Sequence, residues 1–238
     1  MITLHRNMRV LFTGDSITES RVWFNPVGGL VDQLSGALGP IPNKVGPGFV
    51  AADSAAVTTK ARGQSFYLIN TGVNGNQTAD LLAGVQSRII AFAPDVCIIE
   101  CGVNDINGGA GSAAAIANMT SIVQAVQAAL PACQIGITGI VIFGEAWVPG
   151  PAWGPGNGPA DAVDAGYQAL CAAKSCTYIP FRPKVLQWEV ANNPTGANVG
   201  FFTTDGIHPK NPGFSGATTP APTVVLGAIA APNFRVTA

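Results

Sequence analysis

Short apolar runs of strand length alternate along the chain with longer stretches in which apolar residues recur at helical spacing. Each apolar run is bounded by polar or glycine-containing segments, as expected for strands buried in a sheet. The pattern predicts five strands, at residues 9–13, 66–69, 96–100, 134–143 and 177–179.

Helical periodicity fills most of the intervals between these predicted strands. The clearest stripe consists of Ile116, Met119, Val123, Val126 and Leu130. Because strands and helices alternate, right-handed βαβ units are expected, and the sequence predicts a three-layer α/β fold around a parallel sheet. Helices are predicted within 26–38, at 78–92, at 116–130, at 161–174 and, as a short helix, near 223–230. Thr78 is the predicted N-cap of the second.

Length and composition narrow the class of protein. The 238 residues, 47% of them apolar and 11% charged, fit a single domain over residues 1–238. A net charge of −1 without any basic block excludes a nucleic-acid partner, because such binding needs clustered cations. Residues 106–144 carry no charged side chain, but Asn118, Gln124 and Pro131 interrupt them, so no membrane span is expected.

The compartment is predicted only by default. No apolar leader follows Met1, which favours the cytoplasm, with an extracellular or virion-associated location as the alternative. Five cysteines contain no C-x-x-C pair. Cys171 and Cys176 would form a disulfide only in an oxidising compartment.

Three of the predicted strands are followed by polar segments that contain glycine. These segments are Gly-Asp-Ser-Ile at 14–17, Asn-Thr-Gly-Val-Asn-Gly at 70–75 and Gly-Val-Asn-Asp at 102–105. Each one alone has the composition of an ordinary turn. Ligands of open parallel sheets bind at the carboxyl ends of the strands, so the three turns together predict a site at that edge.

A fourth segment, Asp205-Gly-Ile-His208, supplies one of the only two histidines in the chain. His5, the other, lies in the N-terminal segment and has no motif around it. On a helical turn, a spacing of three residues would place Asp205 and His208 on one face. The carboxylate would then accept the Nδ1 proton and leave Nε2 as a base.

With these four segments the chain resembles the GDSL/SGNH hydrolases, and the segments span residues 14–208 in the family's order. The resemblance implies a five-stranded parallel flavodoxin-like sheet and a serine esterase mechanism. It further implies Ser16 as nucleophile, His208 as base and Asp205 as the partner that orients it. The backbone N–H groups of Ser16 and Gly75 and the side-chain amide of Asn104 would form the oxyanion hole. Asp15 and Asp105 are expected to fix their turns rather than act in catalysis.

The substrate is predicted less directly. Low charge, Trp23 downstream of Ser16, and a Gly/Pro/Trp-rich segment with Trp147 and Trp153 suit a short acyl group, most specifically acetyl, on a neutral alcohol or carbohydrate. A thioesterase or lipase of the same family remains an alternative. So does a non-catalytic carbohydrate-binding module, because aromatic faces stack on sugars.

Other chemistries are less consistent with the residues present. Residues 109–114 match a loose G-x-G-x-x-A, but no carboxylate occurs between Asp105 and Glu145, where a dinucleotide site needs one. One candidate histidine is too few for a zinc site. The sequence therefore predicts neither a metal nor an organic cofactor, and it leaves the oligomeric state open.

Overall fold

The computed structural model describes residues 1–5, 8–19, 57–61, 64–140, 157–192 and 233–236. Strands and helices alternate through these segments, as the sequence predicts. In chain order the elements are β1 (Ile2–Leu4), β2 (Arg9–Gly14), α1 (Ser16–Glu19), β3 (Val57–Ala61), β4 (Gln64–Asn70), α2 (Thr78–Ala83), α3 (Val85–Arg88), a 3₁₀ turn (Ile90–Phe92), β5 (Val96–Glu100), α4 (Val103–Asn107), α5 (Gly111–Ala129), β6 (Gln134–Thr138), α6 (Asn157–Lys174), β7 (Thr177–Ile179), α7 (Phe181–Asn192) and β8 (Phe234–Val236).

The main sheet has the strand order β3-β4-β2-β5-β6-β7. Its five strands from β4 to β7 are mutually parallel, and β3 adds an antiparallel edge beside β4. Numbered along the chain, the parallel strands follow the order 2-1-3-4-5, which is the flavodoxin-like arrangement. The predicted five-stranded parallel sheet with flanking helices is therefore confirmed.

Burial explains why the central strands read as continuous apolar runs. All five residues of β5 are buried, and so are all residues of β2 after Arg9. Parallel strands covered on both faces have no solvent-facing side, so polar and apolar residues do not alternate along them. Helix α5 packs inward through Ala115, Met119, Ile122, Val123 and Val126, three of which belong to the predicted stripe.

The predicted helix after Thr78 is broken into three pieces. It ends at Ala83, resumes as α3 from Val85, and finishes in the 3₁₀ turn. Thr78 is the first helical residue rather than the cap. Gln77 is the N-cap, and its backbone N–H donates to the Asp80 carboxylate at 2.9 Å. The apolar stripe survives these breaks, which is why the periodicity suggests one helix.

Several elements differ from the sequence prediction. The fourth predicted strand ends at Thr138 instead of continuing, and Gly139 N–H donates to Ile179 O at 3.1 Å beyond it. Helix α6 begins four residues before the predicted start at 161. The strands β1, β3 and β8 and the helices α1, α4 and α7 are not predicted. The predicted helices at 26–38 and 223–230 lie outside the described residues.

All five cysteines are described, and all are free thiols. Burial raises the pKa of Cys171 to about 12 and that of Cys176 to about 11, so both are protonated at neutral pH. Within the described segments, no helix combines the length and the apolar character that crossing a membrane requires.

Candidate active site

The three turns that the sequence singles out follow three neighbouring strands. Strand β2 lies between β4 and β5, with Phe12 opposite Asn70 and Gly14 opposite Glu100. Because the strands are parallel, their carboxyl ends share one edge of the sheet. In this strand order the chain reverses direction of winding between β2 and β5, where ligands of such sheets bind.

The turn after β2 depends on a glycine. Gly14 has φ +155°, and a Cβ at this position would overlap the carbonyl oxygen of Glu100. Asp15 Oδ1 accepts a hydrogen bond from Ile17 N–H at 3.0 Å, so its carboxylate fixes the turn as predicted. Ser16 then begins α1 and is 7% exposed.

The turn after β4 is fastened to the first turn. Val73 N–H donates to Gly14 O at 3.1 Å, and Asn70 Nδ2 donates to Thr18 O at 3.0 Å. The other side-chain atom of Asn70, Oδ1, accepts from Gly72 N–H at 2.9 Å. Gly75, at the exposed tip, has φ +77°, a conformation that favours glycine.

The third turn, after β5, is linked to the second through Asn104. This residue lies in the first turn of α4 and is half-buried, and its Nδ2 donates to Asn76 O at 3.0 Å. Its neighbour Asp105 is buried and accepts from both the N–H and the hydroxyl of Thr78, at 2.9 and 2.6 Å. Asp105 therefore fixes its surroundings, as expected from its position.

Arg88 is a contributor that sequence reasoning missed. From α3 its Nη2 donates to Gly14 O at 3.0 Å and to Thr71 O at 2.6 Å, and Nε also donates to Thr71 O at 3.2 Å. The guanidinium thus joins the ends of β2 and β4 beneath two of the turns. Burial lowers its pKa, but a guanidinium remains charged at any physiological pH. A helical arginine carries no pattern that predicts these contacts.

Glu100 is a second buried group that the sequence shows only as the end of a strand. Thr18 Oγ1 donates to its Oε2 at 3.2 Å. Burial, followed by the neighbouring charge of Asp15, raises the pKa of Glu100 well above its ordinary value.

The structure thus brings the segments of Ser16, Gly75 and Asn104 to one edge of the sheet and ties them together. The other predicted site residues, Asp205, His208, Trp23, Trp147 and Trp153, lie outside the described residues. In the part of the chain that is described, no group of three or more His, Cys, Asp or Glu side chains is arranged to hold a metal ion.

Fold and site together define a class of protein: a flavodoxin-like α/β domain with a serine, a glycine and an asparagine on three adjoining turns. The chain belongs to the GDSL-like lipase/acylhydrolase family, whose sequence profile matches residues 12–215. It is accordingly an esterase, a carboxylic ester hydrolase.

Solved structures with the same fold include two acetyl xylan esterases. One is AlAXEase, with 18% identity, a TM-score of 0.67, and coverage of 93% of this chain and 98% of that one. Another is Axe2 from Geobacillus stearothermophilus, with 17% identity, a TM-score of 0.65, and coverage of 94% and 93%. A GDSL-like protein from Parabacteroides merdae ATCC 43184 has 19% identity, a TM-score of 0.65, and coverage of 96% and 98%. The comparison with curated proteins finds no match.

Proposed function

We propose that Ser16 is the nucleophile of this esterase, with His208 as its general base and Asp205 as the residue that orients the imidazole. One observation carries the proposal. The turn of residues 71–77 is hydrogen-bonded to the Ser16 turn through Val73 and to the α4 helix through Asn76. A nucleophile and the donors for a developing charge need such a fixed relationship.

The proposed reaction proceeds in two steps. In the first, His208 Nε2 takes the proton of Ser16 as Oγ attacks the ester carbonyl carbon. The tetrahedral intermediate collapses, the bond to the alcohol oxygen breaks, and His208 returns the proton to the leaving alcohol. In the second, His208 takes a proton from water as the water attacks the acyl-enzyme, and Ser16 regains its hydrogen when the acid leaves.

The oxyanion of each intermediate would accept hydrogen bonds from Ser16 N–H, Gly75 N–H and Asn104 Nδ2. The environment of Gly75 suits this role, because nothing lies within 4 Å of the place where a Cβ would be. Asn104 suits it because an amide nitrogen donates hydrogen bonds without introducing charge.

We further propose a short-chain ester of a carbohydrate, most specifically an acetyl ester, as the substrate class. Support comes from the low charge of the chain and from the similar folds of proteins described as acetyl xylan esterases. Trp23, Trp147 and Trp153 would offer aromatic faces to sugar rings. Identities of 17–18% support the fold but do not establish the substrate, so the substrate specificity is tested separately.

A fluorophosphonate probe tests the nucleophile. The wild-type protein should gain the mass of one phosphonyl group on Ser16, and Ser16→Ala should gain none. Ser112→Ala, which changes a serine on α5, is the matched control and should label like the wild type. Absence of labelling in the wild type would contradict the proposal and favour the non-catalytic carbohydrate-binding module.

A series of p-nitrophenyl esters, run beside acetylated xylan, tests the substrate. Activity should be highest for acetate and should fall as the acyl chain lengthens. Activity that peaks at long chains would indicate a lipase instead, and preference for acyl thioesters would indicate a thioesterase. Alanine at each proposed tryptophan should raise KM for acetylated xylan more than for p-nitrophenyl acetate if these residues bind the sugar.

A further inference from the structure

The turn that carries Ser16 lies against a buried carboxyl group that the proposed mechanism does not use. Glu100 ends β5 directly opposite Gly14 at the end of β2. Its side chain is 1% exposed, and Asp15 beside it is fully buried. The carboxyl groups of Glu100 and Asp15 are therefore both excluded from water at the turn that carries Ser16.

Glu100 contacts the chain on both sides of Ser16. On the C-terminal side, Thr18 Oγ1 donates to Glu100 Oε2 at 3.2 Å. On the N-terminal side, Glu100 lies opposite Gly14 and next to the buried Asp15, whose charge contributes to raising the pKa of Glu100. Asp15 Oδ1 meanwhile accepts from Ile17 N–H at 3.0 Å. Glu100 on β5 therefore contacts Thr18, two residues after the serine, and lies beside Asp15, the residue just before it.

Two neighbouring buried carboxyl groups can share a hydrogen bond only when one of them is protonated, because an ionised carboxylate has no hydrogen to donate. Desolvation and mutual repulsion favour the same state, since two negative charges buried side by side are costly. Asp15 Oδ1 accepts from Ile17 N–H, which favours the ionised form of Asp15, and burial raises the pKa of Glu100 well above its ordinary value, so we assign the proton to Glu100.

The other titratable groups near Glu100 and Asp15 do not change the assignment of the proton to Glu100. Burial keeps the Cys101 thiol and the Tyr167 phenol neutral by raising the pKa of each, and Tyr167 donates its hydrogen to Cys101 O at 2.8 Å. The Arg88 guanidinium donates to the carbonyl oxygens of Gly14 and Thr71. Asp105 accepts from Thr78.

We propose that Glu100, in its protonated form, is a positioning residue for ester hydrolysis: it donates to Asp15, accepts from Thr18, and so holds the turn that presents Ser16. This inference rests on the proposed role of Ser16 as nucleophile. Glu100 need not touch the substrate. Its effect is to restrict the serine and its backbone N–H to one geometry.

The first test compares Glu100→Gln with Glu100→Ala. Glutamine keeps one donor for Asp15 and one acceptor for Thr18, so kcat for p-nitrophenyl acetate should stay within about threefold of the wild type. Alanine removes both contacts, and kcat should fall about 10- to 100-fold with little change in KM, because a small displacement of the nucleophile slows chemistry more than binding. Equal losses in both variants would overturn the proposal.

The second test follows thermal unfolding from pH 5 to pH 8. A carboxyl whose pKa is raised on folding binds its proton more tightly in the folded state than in the unfolded state. As the pH rises, the unfolded state loses this proton first, so the free energy of unfolding of the wild type decreases. Glutamine has no proton to lose. The Tm of Glu100→Gln minus that of the wild type should therefore increase with pH, whereas Glu19→Gln, on the same helix as Thr18, should give no comparable increase. A difference that stays flat or decreases would show that Glu100 is ionised in the folded protein.

The two tests separate this inference from the proposed nucleophile. If the fluorophosphonate probe fails to label Ser16, the proposed function fails, yet the pH dependence of Tm still reports whether Glu100 holds the proton. If Glu100→Ala does not fold, Thr18→Val removes one of the two contacts at constant shape. Its kcat should fall while KM is retained, and an unchanged kcat would contradict the positioning role.

Discussion

The side-chain amide of Asn104 donates a hydrogen bond to the backbone carbonyl oxygen of Asn76 at 3.0 Å. This contact fastens the turn that ends in Gly75 to helix α4. The same nitrogen carries a second hydrogen, which the proposed mechanism directs at the substrate oxyanion. Aspartate would fill the same space without any hydrogen to donate, which accounts for an amide at this position.

Replacing Asn104 should therefore slow chemistry more than it weakens the fold. We expect Asn104→Ala to lower kcat about 100- to 1,000-fold, which corresponds to the roughly 2.7–4 kcal/mol lost with one oxyanion donor. Asn104→Asp, of equal size, should be impaired at least as strongly. The measurements are kcat for p-nitrophenyl acetate and Tm for each variant. A kcat within threefold of the wild type in Asn104→Ala would contradict the assignment.

Asp105 should contribute to stability through Thr78. Asp105→Ala leaves the buried N–H and hydroxyl of Thr78 without their acceptor, and each unsatisfied buried group costs about 1–3 kcal/mol. Urea unfolding should show a loss of that order. Asp105→Asn keeps one carbonyl oxygen as acceptor and should lose less. Equal stability of Asp105→Ala and the wild type would show that the contact with Thr78 is not stabilising.

The two glycines of the site should respond differently to alanine. In Gly14→Ala the new Cβ meets the backbone oxygen of Glu100, which cannot move without disrupting the sheet, so we expect a loss above about 4 kcal/mol or no folded protein. In Gly75→Ala the Cβ enters open space, and only the positive φ costs energy, about 1–2 kcal/mol. Yield and unfolding midpoints compare the two. Similar losses in both would refute the explanation by close approach.

Arg88 should support activity without contacting the substrate. Arg88→Met keeps much of the apolar stem but removes the guanidinium donors, so Gly14 O keeps only the Val73 N–H and Thr71 O loses both of its contacts with Arg88. The loss of the donors to Thr71 O costs about 1–3 kcal/mol, and we expect Tm and kcat to decrease together. Arg88→Lys restores one charged donor and should recover part of both. The matched control replaces Arg235, an exposed arginine on β8. Arg235→Met should change neither Tm nor kcat.

The pH profile should report the base. If neutral His208 removes the serine proton, kcat/KM should decline as the pH falls below about 6–7, near the ordinary pKa of imidazole. Asp205→Asn should lower turnover by orders of magnitude while the protein stays folded, because the imidazole then loses its orienting acceptor. A profile that remains flat down to pH 4 would contradict a histidine base.

How well the sequence predicts the fold varies between elements for physical reasons. The strands at 9–13 and 96–100 are correctly predicted because burial on both faces leaves a continuous apolar run. Strand β3 reads Val-Thr-Thr-Lys-Ala, with one large apolar residue, so it carries no such run and forms by pairing with β4. Strands β1 and β8 are only three residues long and come from opposite ends of the chain, so no local pattern marks them.

The helices likewise differ in how well the sequence predicts them. Most of the inward face of α5 is visible in the sequence, because a helix that packs one side inward needs apolar residues at that spacing. Met119, Val123 and Val126 of the predicted stripe are buried, whereas Ile116 and Leu130 are partly buried and Ala115 and Ile122 complete the face. The first break after Thr78 lies at Gly84, which is the C-cap of α2 and the N-cap of α3, and the apolar stripe continues across it. Helix α7 has Pro183 in its first turn, where proline is compatible with a helix but also typical of loops.

By itself the sequence determined the α/β class, the parallel sheet and the turns at 14–17, 70–75 and 102–105, because periodicity and turn chemistry are local properties. Only the tertiary structure revealed that Arg88 joins the ends of two strands and that Glu100 meets Asp15 beneath Ser16. The physical reason is distance along the chain: Glu100 and Asp15 are separated by more than 80 residues, and only strand pairing between β2 and β5 brings them together. A buried glutamate and a solvent-facing one look identical in a sequence, and the difference arises only from what packs around them.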